Sequence, residues 1–127
     1  GASAKIILAY LPVHQLRSIF AKHRKSIASV GLGADWDGFR LTLKQIRQQG
    51  YARSFGEYNP GILSVAAPLF NRAGDVLGSL ALAASACTTS ETAFAAAIPL
   101  VLEAGRQVSE RISTSANVVD LPARAVG

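Results

Sequence analysis

Few residues in this chain are equipped for covalent chemistry. There is one cysteine, Cys87, and there are two histidines, His14 and His23. Cys87, or a serine, paired with His14 or His23 would make a small hydrolase or thiol enzyme, because an imidazole can take the proton that activates the nucleophile. Cys87 stands just before a helical segment whose N-terminus would lower its pKa, but an inert thiol fits the same position. The pattern for metal binding is poor. The two histidines are nine positions apart and no acid or cysteine cluster joins them, whereas two imidazoles share a helical face at a spacing of about four. No metal and no cofactor is expected. Gly31-x-Gly33 is followed by Trp36 where a dinucleotide fingerprint needs its third glycine, and no strand precedes it. Glu57 has no neighbouring carboxylate in sequence, which points to a turn-stabilising or exposed role rather than acid catalysis.

Non-covalent recognition has better material. The chain starts Gly1-Ala2-Ser3-Ala4. If these residues open a helix, the amides of Ala2, Ser3 and Ala4 have no intrahelical acceptors. Together with the helix dipole they form an anion site that small side chains let a carboxylate approach. Ser3 capping its own helix is the competing use. A second feature lies at Val76–Ala84, where Leu80 and Leu82 point to one face of a strand and Ser79, Ala81 and Ala83 to the other. A face of small residues means close packing by a neighbour, or room for a ligand.

The elements that would hold these residues follow from periodicity. Ile6, Ile7, Tyr10 and Leu11 recur at helical spacing until Pro12 stops the run, and Leu16, Ile19 and Phe20 repeat the pattern over Val13–Lys22. Ser29–Gly33 reads as a loop. Asp35 is a candidate N-cap for a helix to about Gln49 with the stripe Phe39, Leu43 and Ile46, and Gly50 a natural left-handed terminator. Strands are expected at Tyr51–Tyr58, Ile62–Phe70 and Val76–Ala84, separated by Asn59-Pro60-Gly61 and by a glycine-containing hairpin loop at Asn71–Asp75. Thr88 and Glu91 have capping-box spacing for a last helix with the stripe Phe94, Ile98, Val101, Gly105, Val108 and Ile112, bent at Pro99. The order α-α-α-β-β-β-α predicts an α/β (α+β) domain with an antiparallel sheet flanked by helices.

Composition sets the outer limits. The chain has 127 residues, 50% of them hydrophobic, and a formal net charge of +5. That length suits one domain, and no apolar run approaches the roughly 18 residues of a membrane span. One cysteine cannot form an internal disulfide, which suits a reducing, cytoplasmic setting. The charge is uneven: residues 1–53 hold nine Lys or Arg against two acids, and residues 54–127 are mildly acidic. Arg17, Lys22, Arg24, Lys25, Lys44 and Arg47 lie off the apolar stripes without interleaved aromatics, the pattern of a solvated face rather than a nucleic-acid footprint. Trp36, between Asp35 and Asp37, reads as a surface or interface cover. The missing initiator Met, the start inside a helix and a sheet of only three strands predict a fragment lacking earlier strands of its domain.

Several segments carry a family resemblance. Gly1-Ala2-Ser3-Ala4-Lys5-Ile6-Ile7-Leu8-Ala9-Tyr10-Leu11-Pro12 resembles the helix-opening signature in the C-terminal effector domain of IclR-type bacterial transcriptional regulators. The match continues through Leu43-x-x-Ile46-Arg47-x-x-Gly50-Tyr51-Ala52 and Gly56-Glu57. It is clearest at Pro60-Gly61-Ile62-x-Ser64-Val65-Ala66-Ala67-Pro68-Leu69-Phe70 with Gly74-x-Val76. The resemblance implies a GAF-like sensor domain over residues 1–113; residues 114–127 have no hydrophobic period and are expected to form a flexible tail. It further implies a small organic acid as effector, a homodimer or homotetramer, and DNA binding only through a separate N-terminal winged helix-turn-helix domain. By the same resemblance the effector lies between the start of the first helix and the sheet. Its contacts fall on Ala2, Ser3, Ala4, Ser54, Ile62 and Ser64. Two positions that often carry hydroxyls in relatives are Ala81 and Ala83 here, and Ser54 stands where some relatives have an acid. The expected pocket is uncharged and less polar, suited to an apolar or aromatic body with one carboxylate.

Overall fold

A computed structural model of the chain describes residues 1–115. The elements run α1 (Ala2–Ala9), α2 (Val13–Ser29), α3 (Trp36–Gln49), β1 (Ala52–Phe55), β2 (Ile62–Phe70), β3 (Val76–Ser85) and α4 (Glu91–Thr114). The strands form one antiparallel sheet in the order β1-β2-β3. The α+β class and the element order are those expected from the sequence.

The central strand explains the layering. In β2, Val65, Ala66 and Ala67 are all buried, although consecutive strand residues point to opposite faces. Both faces must therefore be covered. On one side Ala66 joins Ala52 and the buried residues Ala2, Ile6 and Ala9 of α1, with α3 packed behind α1 and α2 against α3. On the other side Val65 and Ala67 meet Phe94, Ile98 and Val101 of α4. Ala66 and Ala67 are small where two helices press on one strand. At Gly105 the approach is closest: a Cβ there would stand 3.0 Å from the Ala67 Cβ and 3.5 Å from the Pro68 carbonyl.

Local signals account for most boundaries. The Asp35 side chain accepts the Gly38 amide at 2.7 Å, and Gly50 ends α3 at φ 85° with its amide on the Ile46 carbonyl. Phe39, Leu43 and Ile46 are buried as their spacing requires. The β2–β3 loop closes on the buried Asn71, whose Oδ1 accepts from the Asp75 amide at 2.9 Å.

Three boundary expectations are corrected, at β1, α2 and α4. The first strand is shorter than Tyr51–Tyr58, because after Phe55 the chain bends at Gly56, whose φ is 66° and whose amide donates to the Ile62 carbonyl. Helix α2 continues past Lys22 to Ser29, crossing a non-helical residue at His23. Burial of Ile27 in the α1–α3 core holds the added turns there. The break in helical dihedrals thus falls at His23, while α4 runs unbroken through Pro99. Thr88 is not the cap of α4. β3 runs on to Ser85 and residues 86–88 make the turn, so Ser90 becomes the N-cap, its hydroxyl accepting from the Ala93 amide at 3.1 Å. The tail expected from 114 lies mostly in residues 116–127, outside the described residues.

Two measurements check this packing. Gly105→Val should destabilise the domain by about 2 kcal/mol, since it overfills the α4–β2 contact. Asp35→Ala should cost about 1 kcal/mol through the lost cap. Urea unfolding followed by circular dichroism reads both. A neutral Gly105→Val would mean that α4 does not press on Ala67.

Candidate ligand-binding site

Strand register decides which of the expected contacts share a face. Ser54 pairs with Ser64, and Ser64 with Ala83; one step along, Ala52 pairs with Ala66 and Ala66 with Ala81. Directly paired residues project to the same side. Ser54, Ser64 and Ala83 therefore form one row, and Ala52, Ala66 and Ala81 the next. Ile62 belongs to the same face by alternation and is half-buried. This is the face that α1 crosses, as the burial of Ala2 and Ile6 with Ala52 and Ala66 requires.

The start of α1 reaches the serine row. A Cβ on Gly1 would stand 3.8 Å from the Ser54 Oγ. The helix has Gly1 at its N-cap and no side-chain cap hydrogen bond, and the first amide to find an intrahelical acceptor is that of Lys5, on the Gly1 carbonyl at 3.2 Å. Ser3 thus does not cap its own helix. Of the three α1 residues expected at the site, only Ala2 is turned into the core; the side chains of Ser3 and Ala4 are exposed. Ala81 and Ala83 are exposed as well, since β3 is an edge of the sheet. Their smallness is not consumed by tight packing.

Two interactions here were not anticipated from the sequence. The Ser54 and Ser64 hydroxyls hydrogen-bond to each other at 2.7 Å. Each serine was expected singly as a contact, and their pairing needs the β1–β2 register. Lys5 also forms an ion pair with Glu57 and donates to the Arg53 carbonyl at 3.2 Å. That contact fastens the first turn of α1 to the end of β1. Glu57 accordingly has a structural partner, in line with the turn-stabilising reading. It also places a carboxylate beside the positive end of α1, where an anion is favoured, with Lys5 offsetting its charge.

The other candidate chemistry is dispersed. His14 and His23 are exposed on α2, which packs on α3, whereas Cys87 sits exposed in the turn between β3 and α4. No group of three metal-ligating side chains occurs among the described residues. No helix among them is long and apolar enough to cross a membrane. Trp36 lies against Phe20 and Phe39, with Arg17 over its ring at 4.8 Å, so it covers the α2–α3 contact.

Comparison with known proteins agrees with this architecture. Residues 1–110 match the family model of the bacterial transcriptional regulator IclR C-terminal region. A probable HTH-type transcriptional regulator, ArcR of Halobacterium salinarum, is 31% identical over 116 residues, covering 91% of this chain and 44% of that protein. The chain spans under half the length of the curated relatives it matches. Among solved structures, a putative IclR transcriptional regulator from Silicibacter superposes with a TM-score of 0.74 at 28% identity, over 91% of this chain and 45% of that one. The inducer-binding domain of the Acinetobacter transcription factor PobR, a double mutant in complex with 3-hydroxybenzoic acid, shares the fold at a TM-score of 0.70 and 19% identity, over 86% and 63% of the two chains. These matches are to regulators and not to enzymes, so the hydrolase or thiol-enzyme alternative is set aside. With its family model matched from residue 1 to residue 110 and its α+β order shared with these neighbours, the chain belongs to the IclR family of bacterial transcriptional regulators, in their C-terminal region.

Proposed function

We propose that this domain senses a small organic acid, and that occupancy of its site biases self-association and DNA binding by a helix-turn-helix domain elsewhere in the whole regulator. The carrying observation is the row Ser54–Ser64–Ala83 facing the uncapped start of α1. A carboxylate would accept the free amides of Ala2, Ser3 and Ala4, with helix dipole and geometry favouring an anion. The paired hydroxyls would rotate to donate to it or to a second polar group, and Ile62 would form an apolar wall. Alanines at 81 and 83 leave space without a donor, which favours an aromatic or apolar body over a small, highly oxygenated acid. The PobR domain's 3-hydroxybenzoic acid is a ligand of that chemical kind. The acid can shift an assembly only by its differential affinity for the two arrangements, whether these are dimers or tetramers. Residues 1–113 would make up this sensor in the cytoplasm, with the remainder as its tail.

Thermal shift tests the reading. A benzoate-type acid at about 100 times its Kd should stabilise the chain by about 2.7 kcal/mol, a rise in Tm of several degrees. Ser64→Phe, which fills the cleft, should remove that rise while leaving the ligand-free Tm within a few degrees. Glyoxylate-sized acids should bind more weakly than aromatic ones, and the reverse order would defeat the assignment of pocket polarity. Glu57→Gln removes an acid from the rim and leaves Lys5 unneutralised, so carboxylate affinity should rise several-fold at low salt and less at high salt. Unchanged affinity would place the carboxylate away from the α1 start.

A further inference from the structure

The far end of α1 opens onto a different cavity. It has a volume of about 450 Å³ and lies between the α1–α2 connection and α3, within the range of small-molecule sites. Its floor is apolar, formed by the buried Leu16 and Leu43. Part of its rim is apolar as well and open to solvent: Val13 is 46% exposed and Leu41 57% exposed.

The same cavity carries three cations from α3: Arg40, Lys44 and Arg47. Their spacing of four and three residues puts them along one side of the helix, over a rise of roughly 10 Å. One acid, Asp37, faces them from the first turn. None of the three cations forms an ion pair among the described residues. Arg47 is held in place, because its Nη1 donates to the Ala9 carbonyl at 2.8 Å, and it retains further N–H donors for another acceptor. Arg40 lies beside the Trp36 ring at 6.0 Å. Tyr10 also lines the space; burial pushes its phenol above the ordinary value, with Arg47 pulling the other way, so it stays a neutral donor.

A solvated basic face does not require an apolar floor beneath it, nor exposed Val13 and Leu41 beside it. We propose that this cleft is a second binding site, separate from the α1-start site, for a small amphipathic dianion: a ring or short alkyl body carrying a phosphate-ester or dicarboxylate charge. The apolar body covers Val13 and Leu41 over the Leu16–Leu43 floor. The charged end is met by Arg40, Lys44 and the free N–H groups of Arg47.

Trp36 is the only tryptophan, and its contact with Arg40 makes its fluorescence a local reporter. Phenyl phosphate is the probe and inorganic phosphate its control lacking an apolar body. Phenyl phosphate should give a saturable change in Trp36 emission, confirmed by calorimetry, and bind at least about tenfold more tightly than phosphate. Lys44→Glu and Leu41→Asp, both at exposed positions, should each weaken it about tenfold or more while leaving stabilisation by a benzoate-type acid unchanged. Ser64→Phe should leave phenyl phosphate binding intact. A non-saturating titration, phosphate binding as tightly as the ester, or indifference to Lys44→Glu would overturn the proposal. Loss of binding in Ser64→Phe would do the same by assigning the probe to the α1-start site. Because that site is read with a different acid and a different variant, failure of one leaves the other standing.

Discussion

Everything in this domain leans on a strand that is buried on both sides. β2 has to accept α1 over Ala66 and α4 over Val65 and Ala67, and two helices can approach one strand that closely only where side chains are small. Alanine at 66 and 67 and glycine at 105 meet that requirement, the last so tightly that a Cβ would already crowd Ala67. The alanines at 2, 9, 52, 66 and 67, all buried, are there for packing. On the α1 side, aromatic side chains lie in the second layer, where Phe20, Trp36 and Phe39 fill the space between α2 and α3.

The same constraint shapes the candidate site. Because α1 lies directly on alanines, its first turn is brought down to the level of the Ser54–Ser64 pair, within van der Waals reach of Ser54. A bulkier sheet face would lift the helix and move its free amides away from the hydroxyls. Lys5 and Glu57 then fix the helix laterally, tying its first turn to the loop after β1. Small residues thus set how closely the start of α1 approaches the sheet, and one ion pair sets its alignment.

What the sequence disclosed follows from how local each signal is. Asp35, Gly50 and the stripe Phe39–Leu43–Ile46 act within one helix, so they could be read directly. The two-faced character of β3 could be read from alternation alone and agrees with its register against β2. The α4 cap could not, because Thr88 and Ser90 are both good capping residues; the choice between them was made by how far β3 stays paired before the chain turns. The extent of α2 failed for a similar reason, since Ile27 is buried only because distant α1 and α3 provide its surroundings. The Ser54–Ser64 hydrogen bond and the Lys5–Glu57 pair are long-range facts of register and docking. The basic character of residues 1–53 was legible as a quantity, but its distribution was not. Arg17, Arg24 and Arg53 lie over Trp36, Phe20 and Phe94, whereas Arg40, Lys44 and Arg47 of α3 line one cavity together.

α1 is the element through which these observations connect. Its eight residues span roughly 12 Å. Its free amides face the serine row at one end, and its last residue, Ala9, offers its carbonyl to Arg47 at the other. A helix this short has little internal freedom to absorb a displacement once Ala2, Ile6 and Ala9 are fixed against the sheet. A ligand that pulled the first turn toward Ser64 would therefore act on the Arg47 contact, and a dianion that drew Arg47 away would release the last carbonyl of the same helix. Linkage makes such coupling reciprocal, with each ligand changing the other's affinity by the same factor. The sign depends on Arg47: a dianion that competed with the Ala9 carbonyl for that guanidinium would oppose carboxylate binding, and one satisfied by Arg40, Lys44 and the spare Arg47 donors would leave it untouched.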